Sequence, residues 1–127
     1  PKSIDTVVAT NLHADILTDL AASLSGSMGI APTGNLDPDK RHPSMFEPIH
    51  GSAFDIMGKG IANPIGTYWS SVMMLENLGE FNAAQRLMSA IEKLTFEKKV
   101  LPYDLGGKNS TQEITAEMTN ILSRKND

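Results

Sequence analysis

The chain has 127 residues, 40% of them hydrophobic and 20% charged, with a formal net charge of −4. That length supports a domain with a core of its own, and the scattered Lys and Arg residues argue against a nucleic-acid or acidic-membrane partner. The absence of Cys excludes disulfides and thiolate metal sites and fits a reducing, cytoplasmic location. No apolar run reaches the length of a membrane span.

The β-branched run Ile4-Asp5-Thr6-Val7-Val8-Ala9 predicts a strand, closed by Thr10 and by Asn11 as the cap of a following helix. Leu12, Ile16, Leu20 and Leu24 recur at four-residue steps, one face of a helix over 12–24 that Gly26 ends. Asp15 and Asp19 repeat on the adjacent face, which sets their Cβ atoms about 5–6 Å apart. Such a pair is either a solvated acidic face or a site for a hard divalent cation. A short strand is predicted near Met28–Ala31, then a charged surface loop over 37–44 that carries two prolines.

The next stretch, Phe46 to Pro64, passes from a short apolar run into the turn-forming cluster His50-Gly51-Ser52. Asp55 follows as an acceptor for hydroxyl groups, and Asn63-Pro64 caps and opens a helix. A polar, glycine-rich loop between a strand-like run and a helix start is where an α/β protein holds a nucleotide; on spacing alone an ordinary surface connection accounts for it equally well.

The helix opened by Pro64 runs to about Leu78 and is apolar nearly all round, hence buried. A second helix is predicted over 82–98, with Asn82 as cap and Leu87, Ile91 and Leu94 as its stripe. Residues 100–109 form a connection with room for a short strand. Ser110-Thr111-Gln112-Glu113 has the form of a capping box and starts a last helix with Ile114, Met118, Ile121 and Leu122 inward, before a polar, frayed tail from Arg124 to Asp127. No G-x-G-x-x-G is present, so the usual dinucleotide fingerprint is missing.

The phrase Glu47-Pro48-Ile49-His50-Gly51-Ser52-Ala53, continued by Gly58-Lys59-Gly60-Ile61-Ala62-Asn63-Pro64, resembles the cofactor loop of the β-decarboxylating dehydrogenases, the family of isopropylmalate, isocitrate, tartrate and D-malate dehydrogenases. Asp15-Ile16-Leu17-Thr18-Asp19 resembles the metal-binding helix of the same family. The likeness runs from about Ile4 to Leu122 and corresponds to roughly the last third of such an enzyme. Phe54, where isopropylmalate dehydrogenases generally have proline, together with Tyr68-Trp69 and Met74-Leu75-Glu76-Asn77-Leu78-Gly79-Glu80, looks most like the tartrate and D-malate branch.

The resemblance implies an α/β fold, part of a two-domain isopropylmalate/isocitrate dehydrogenase-like architecture with a mainly parallel sheet flanked by helices. Residues 1–25 would end the smaller, dimer-forming domain, and 26–127 would complete the larger, cofactor-holding one. It places Glu47 near the nicotinamide ribose, His50, Gly51, Ser52 and Ala53 along the adenosine and phosphates, Asp55 at the adenosine ribose and Asn63 at the adenine. Asp15 and Asp19 become ligands of Mn²⁺ or Mg²⁺, and K⁺ is a further ion that the resemblance allows.

A carboxylate at the ribose favours NAD over NADP. The implied activity is oxidation, with decarboxylation, of a small 2-hydroxy acid such as tartrate or D-malate. The implied assembly is a homodimer with a shared active site. The lysine and tyrosine that act as base and acid, and the substrate-binding arginines, lie upstream of Pro1 in the family pattern, so a fragment without catalytic residues of its own is expected, inactive alone and with apolar surface exposed. A fragment of a 3-isopropylmalate dehydrogenase and a non-catalytic nucleotide-binding or interaction module are the alternatives.

Overall fold

The computed structural model describes residues 2–124. Four helices carry the fold: α1 (Asn11–Ser25), α2 (Ile65–Asn77), α3 (Phe81–Glu97) and α4 (Thr111–Ser123). Two strands, β1 (Pro32–Asn35) and β2 (Met45–Pro48), and two 3-10 turns, Met28–Ile30 and Tyr103–Leu105, lie between them.

The core forms where α2, α3 and α4 meet. Ile65 and Val72 of α2 pack with Ala84, Ala90, Ile91 and Leu94 of α3 and with Ile114 and Met118 of α4. Ile65 is 1% exposed and Ile114 fully buried, so truncating either to Ala costs about 2–5 kcal/mol. Ser70, the buried polar residue of α2, donates its hydroxyl to the Gly66 carbonyl at 2.8 Å, which satisfies it within the helix. The predicted stripes of α3 and α4 are therefore the ones that face the core.

Chain reversals follow local chemistry. Gly79 adopts φ +83 and ends α2, with the Glu80 amide returning to the Leu75 carbonyl. The capping box is formed as its sequence predicts. The Ser110 amide donates to Glu113 Oε2 at 2.7 Å and the Glu113 amide to Ser110 Oγ at 3.3 Å. By contrast α3 starts at Phe81, one residue before the predicted cap, so Asn82 lies inside its first turn and Glu80 holds the cap position.

The strands differ most from expectation. Residues 4–9 form no strand; Val8 is 97% exposed. β-Branched composition fits a pleated surface only where a neighbouring strand supplies the ladder, and no strand lies beside this segment among the described residues. Met28–Ile30 is a 3-10 turn because Ser27 Oγ accepts from the Gly29 amide at 2.9 Å, and the strand begins only at Pro32, the position in a strand that tolerates proline. Residues 100–109 hold the Tyr103–Leu105 turn rather than a strand.

β1 and β2 pair antiparallel, Thr33 opposite Glu47, so the sheet among the described residues is not the mainly parallel one expected. The reason is the short return through 36–44, which can only bring the second strand back alongside the first. Asp37 organises that return: its carboxylate accepts from the amides of Asp39, Arg41 and His42 at 3.1, 2.9 and 2.8 Å. Of the predicted tail, residues 125–127 lie outside the described residues.

Glu113 offers a test of the α4 cap. The backbone amide of Ser110, then its hydroxyl, stabilise the carboxylate and hold its pKa below the usual glutamate value. A depressed folded-state pKa contributes stability above the unfolded pKa and loses it as pH falls through the folded one. Glu113→Ala should be less stable than the parent at neutral pH, and the difference should close as pH drops below the ordinary glutamate range. Urea unfolding of both proteins across pH 7 to 3 measures it.

Candidate functional site

The segment from Glu47 to Asn63 is carried out from the fold by β2 and returned to it by α2. In β2, Phe46 and Pro48 turn inward while Met45 and Glu47 are exposed, the alternation that a half-buried strand imposes. Glu47 thus stands on the open face. The chain then crosses His50, Gly51, Ser52, Ala53, Phe54 and Asp55, all exposed. His50 Nδ1 donates to the Gly51 carbonyl at 3.0 Å. Successive turns follow, with the Ile56 amide on the Ala53 carbonyl (3.0 Å) and the Lys59 amide on the Ile56 carbonyl (3.1 Å).

Backbone conformation supports a ligand-facing loop. Ala53 sits at φ +45, a left-handed conformation that strains a residue with a Cβ, and Gly58 and Gly60 take φ +74 and +66 without that strain. A Cβ built at Gly51, Gly58 or Gly60 would meet nothing within 4 Å, so the backbone there is open to an approaching molecule.

The exit of the loop is tied firmly. The Thr111 amide donates to the Gly60 carbonyl at 2.9 Å and its hydroxyl to the Ala62 carbonyl at 2.6 Å, so the start of α4 grips the segment. Asn63 Oδ1 accepts from the Ile65 amide at 2.9 Å, the first amide of α2, although the helix begins one residue later than predicted, with Pro64 rather than Asn63 in the cap position. Asn63 Nδ2 donates to Asp104 Oδ2 at 2.9 Å, and Ser27 Oγ donates to the same carboxylate oxygen. Ser27 and Asp104 were not legible as site residues. The sequence shows Asp104 only as part of a connection, and the contact spans 77 positions.

Asp15 and Asp19 lie one turn apart on α1, both exposed. The helix begins at Asn11, so Thr10 rather than Asn11 holds the cap position, its hydroxyl 2.6 Å from His13 Nδ1. No group of three or more His, Cys, Asp and Glu side chains able to hold a metal occurs among the described residues. Two carboxylates at this spacing offer oxygen atoms of the kind a hard cation takes. The apolar stripe of α1 is open to solvent: Leu12, Ile16, Leu20 and Leu24 are each more than half exposed, and Ala22 is the buried residue of this helix.

A cleft of about 410 Å³ lies elsewhere, between α2, α3 and the two 3-10 turns, lined by Ile30, Ile65, Trp69, Met88 and Leu105 among others. None of residues 47–63 lines it, so the candidate loop is an open surface rather than a wall of that cleft.

The chain belongs to the isocitrate/isopropylmalate dehydrogenase family, whose model matches residues 1–122. A probable tartrate dehydrogenase/decarboxylase of Agrobacterium vitis is 60% identical over 126 residues, covering 99% of this chain and 34% of that protein. The decarboxylating D-malate dehydrogenase of Escherichia coli (strain K12) is 43% identical over 129 residues, covering 98% of this chain and 36% of that one. Isocitrate dehydrogenase from Methylococcus capsulatus shares the fold with a TM-score of 0.85 at 36% identity, over 96% of this chain and 36% of that chain.

The α/β fold class of the isopropylmalate/isocitrate dehydrogenase type and the likeness to the tartrate and D-malate branch are thereby established. The chain spans about a third of the length of these curated relatives.

Asn63→Ala removes the bond to the first amide of α2 and the bond to Asp104 together. It should cost about 1 kcal/mol through the lost helix-start bond alone and speed amide exchange at Ile65, while the amides of α3 keep their protection. Native-state hydrogen exchange read by NMR measures both.

Proposed function

We propose that this chain is the cofactor-binding portion of an NAD-dependent and divalent-metal-dependent dehydrogenase that oxidises and decarboxylates a small 2-hydroxy acid such as tartrate or D-malate. The observation that carries this reading is the Glu47–Asn63 segment, an open surface whose exit is pinned to α2 and α4 while Glu47 and His50 to Asp55 are exposed to solvent. The dehydrogenase/decarboxylase names of the relatives supply the substrate class.

In this assignment residues 1–25 end a smaller, dimer-forming domain and 26–127 complete the larger one. Glu47 lies toward the nicotinamide ribose. His50, Gly51, Ser52 and Ala53 follow the adenosine and phosphates, where the absence of a Cβ at Gly51 permits close approach. Asp55 accepts from the adenosine ribose hydroxyls, and Asn63 stands at the adenine. When bound, NAD accepts a hydride, and a divalent cation draws electron density from the hydroxy acid. Asp15 and Asp19 supply two carboxylates to hold Mn²⁺ or Mg²⁺.

The proton-transferring lysine and tyrosine come from other parts of the family-length enzyme, which acts as a cytoplasmic homodimer with a shared active site. The 127-residue chain alone binds cofactor without turning over substrate. The open apolar stripe of α1 supports a second subunit as its cover.

Asp55 decides cofactor choice. The adenosine ribose of NAD offers hydroxyls to a carboxylate, and NADP puts a phosphate dianion in that place, which the carboxylate repels. In the family-length enzyme carrying this segment, the preference for NAD should amount to a few kcal/mol, and Asp55→Lys should narrow it. The check is kcat/KM with each cofactor for parent and variant; an unchanged ratio would remove Asp55, and with it the loop, from the ribose.

Asp19→Asn in the same enzyme replaces a charged ligand by a neutral one of equal size. Mn²⁺ affinity should fall by at least the roughly ten- to hundredfold that loss of a group supporting a ligand costs, with the circular dichroism spectrum unchanged. Calorimetric titration with Mn²⁺ reads the affinity, and parent-like binding would return the Asp15/Asp19 pair to a solvated face.

A further inference from the structure

We propose that Asp104 is a positioning residue: one carboxylate oxygen fixes the exit of the candidate cofactor loop and ties it to the segment that leaves α1. The proposal rests on the reading of 47–63 as a dinucleotide-binding surface, although its geometry stands apart from that reading. Asp104 lies in the Tyr103–Leu105 turn, between the core helices α3 and α4. Its Oδ2 accepts from Asn63 Nδ2 at 2.9 Å and from Ser27 Oγ. Neither partner ends the chain of bonds. Asn63 Oδ1 accepts from the Ile65 amide at the start of α2, and Ser27 Oγ accepts from the Gly29 amide at the start of the Met28–Ile30 turn, both at 2.9 Å. One carboxylate therefore holds the two side chains that accept from amides at the starts of two separate elements.

The consequence for Asn63 is orientational. A primary amide can flip by exchanging its oxygen and nitrogen. Here the oxygen faces a backbone donor and the nitrogen faces a carboxylate, so a flip would set oxygen against oxygen and N–H against N–H. Asp104 removes the flipped state and leaves the second Nδ2 hydrogen in a fixed direction for a ligand. Charge-assisted bonds of this type are the stronger ones.

Gly29 adds an independent mark of the same joint. A Cβ built there would collide with Asp104 Oδ2 and come within 3.0 Å of Asn63 Nδ2. The carboxylate thus fills the space that a side chain at position 29 would occupy. Asp104→Ala removes the joint chemically, and Gly29→Ala displaces it sterically with every polar group retained.

The experiment is amide exchange on the 127-residue chain, read at Gly29, at Ile65 and at Leu94 as a core reference, followed by calorimetric titration with NAD. Asp104→Ala and Gly29→Ala should each speed exchange at Gly29 and Ile65 about tenfold and leave Leu94 unchanged. Asp104→Asn keeps an oxygen acceptor and should restore most of the protection. NAD affinity should fall about tenfold in Asp104→Ala, be largely restored in Asp104→Asn, and stay low in Asp104→Leu, which fills the space without an acceptor and which a purely steric role would tolerate.

Parent-like exchange at Gly29 and Ile65 in Asp104→Ala overturns the joint. Equal acceleration at Leu94 also overturns it, since the carboxylate would then be supporting the whole fold. Accelerated exchange with unchanged NAD affinity overturns its positioning of the cofactor surface. Should the parent itself bind no NAD, the dinucleotide reading fails by that result alone, and the exchange rates still decide the joint.

Discussion

The candidate surface depends on one close approach. The first turn of α2 meets the 3-10 turn and the hairpin at Gly66, where the helix brings no side chain of its own. A Cβ at Gly66 would stand 3.0 Å from the Gly29 carbonyl oxygen, 3.3 Å from Pro48 Cβ and 3.5 Å from the Ala31 carbonyl oxygen. Gly66 itself is buried. A helix interior ordinarily loses about 0.5–1 kcal/mol by having Gly in place of Ala. Here the methyl group would force apart the strand from which the loop departs and the helix to which it returns. The span between Pro48 and Asn63 is therefore set by backbone packing, and the loop side chains have only to decorate it.

The helices were legible because their signals are local. The four-residue steps of α1, the stripe of α3 and the capping box of α4 each state a face or a start within a few positions; tertiary contacts agree with them in α3 and α4, while the stripe of α1 stays open to solvent. Of the strands, only the strand-like run before His50 was legible, as β2; the others were not, for the opposite reason. Val7 and Val8 carry strong β-propensity, yet a strand is completed by a neighbour, and none lies beside 4–9 among the described residues. At Met28–Ile30 the local side chain of Ser27 wins over the apolar run, because a satisfied turn amide is worth more than an unpaired strand edge.

The site divides in the same way. His50, Gly51, Ser52, Ala53, Asp55 and Asn63 form one contiguous segment, so a resemblance in sequence could carry all of them at once. Asp104 and Ser27 enter through contacts that cross 41 and 77 positions, and neither has a spacing or a neighbour that marks it. Asn63 bridges the two cases. Its place beside the start of α2 can be read from Asn63-Pro64 alone, whereas its bond to Asp104 exists only in the folded chain. A residue that serves a local helix start and a distant joint at once is constrained twice, which leaves its amide a single orientation.

The loop is thus unevenly held, and the unevenness has a physical use. From Gly60 onward it shares bonds with α4, α2 and the Tyr103–Leu105 turn, so it inherits the stability of the helical core. From Gly51 to Lys59 the recorded bonds are turns within the segment itself, each worth roughly 0.5–1.5 kcal/mol net against water. Ala53, at positive φ, adds strain in that same stretch. A ligand that engaged both parts would meet a rigid end and an adaptable one. Contacts to the rigid end carry little ordering cost, while those to the adaptable part must first offset the entropy of fixing it. Affinity gained near Asn63 is for that reason gained more cheaply than affinity at Ser52 or Asp55, and discrimination between similar ligands falls to the residues whose arrangement the ligand itself has to complete.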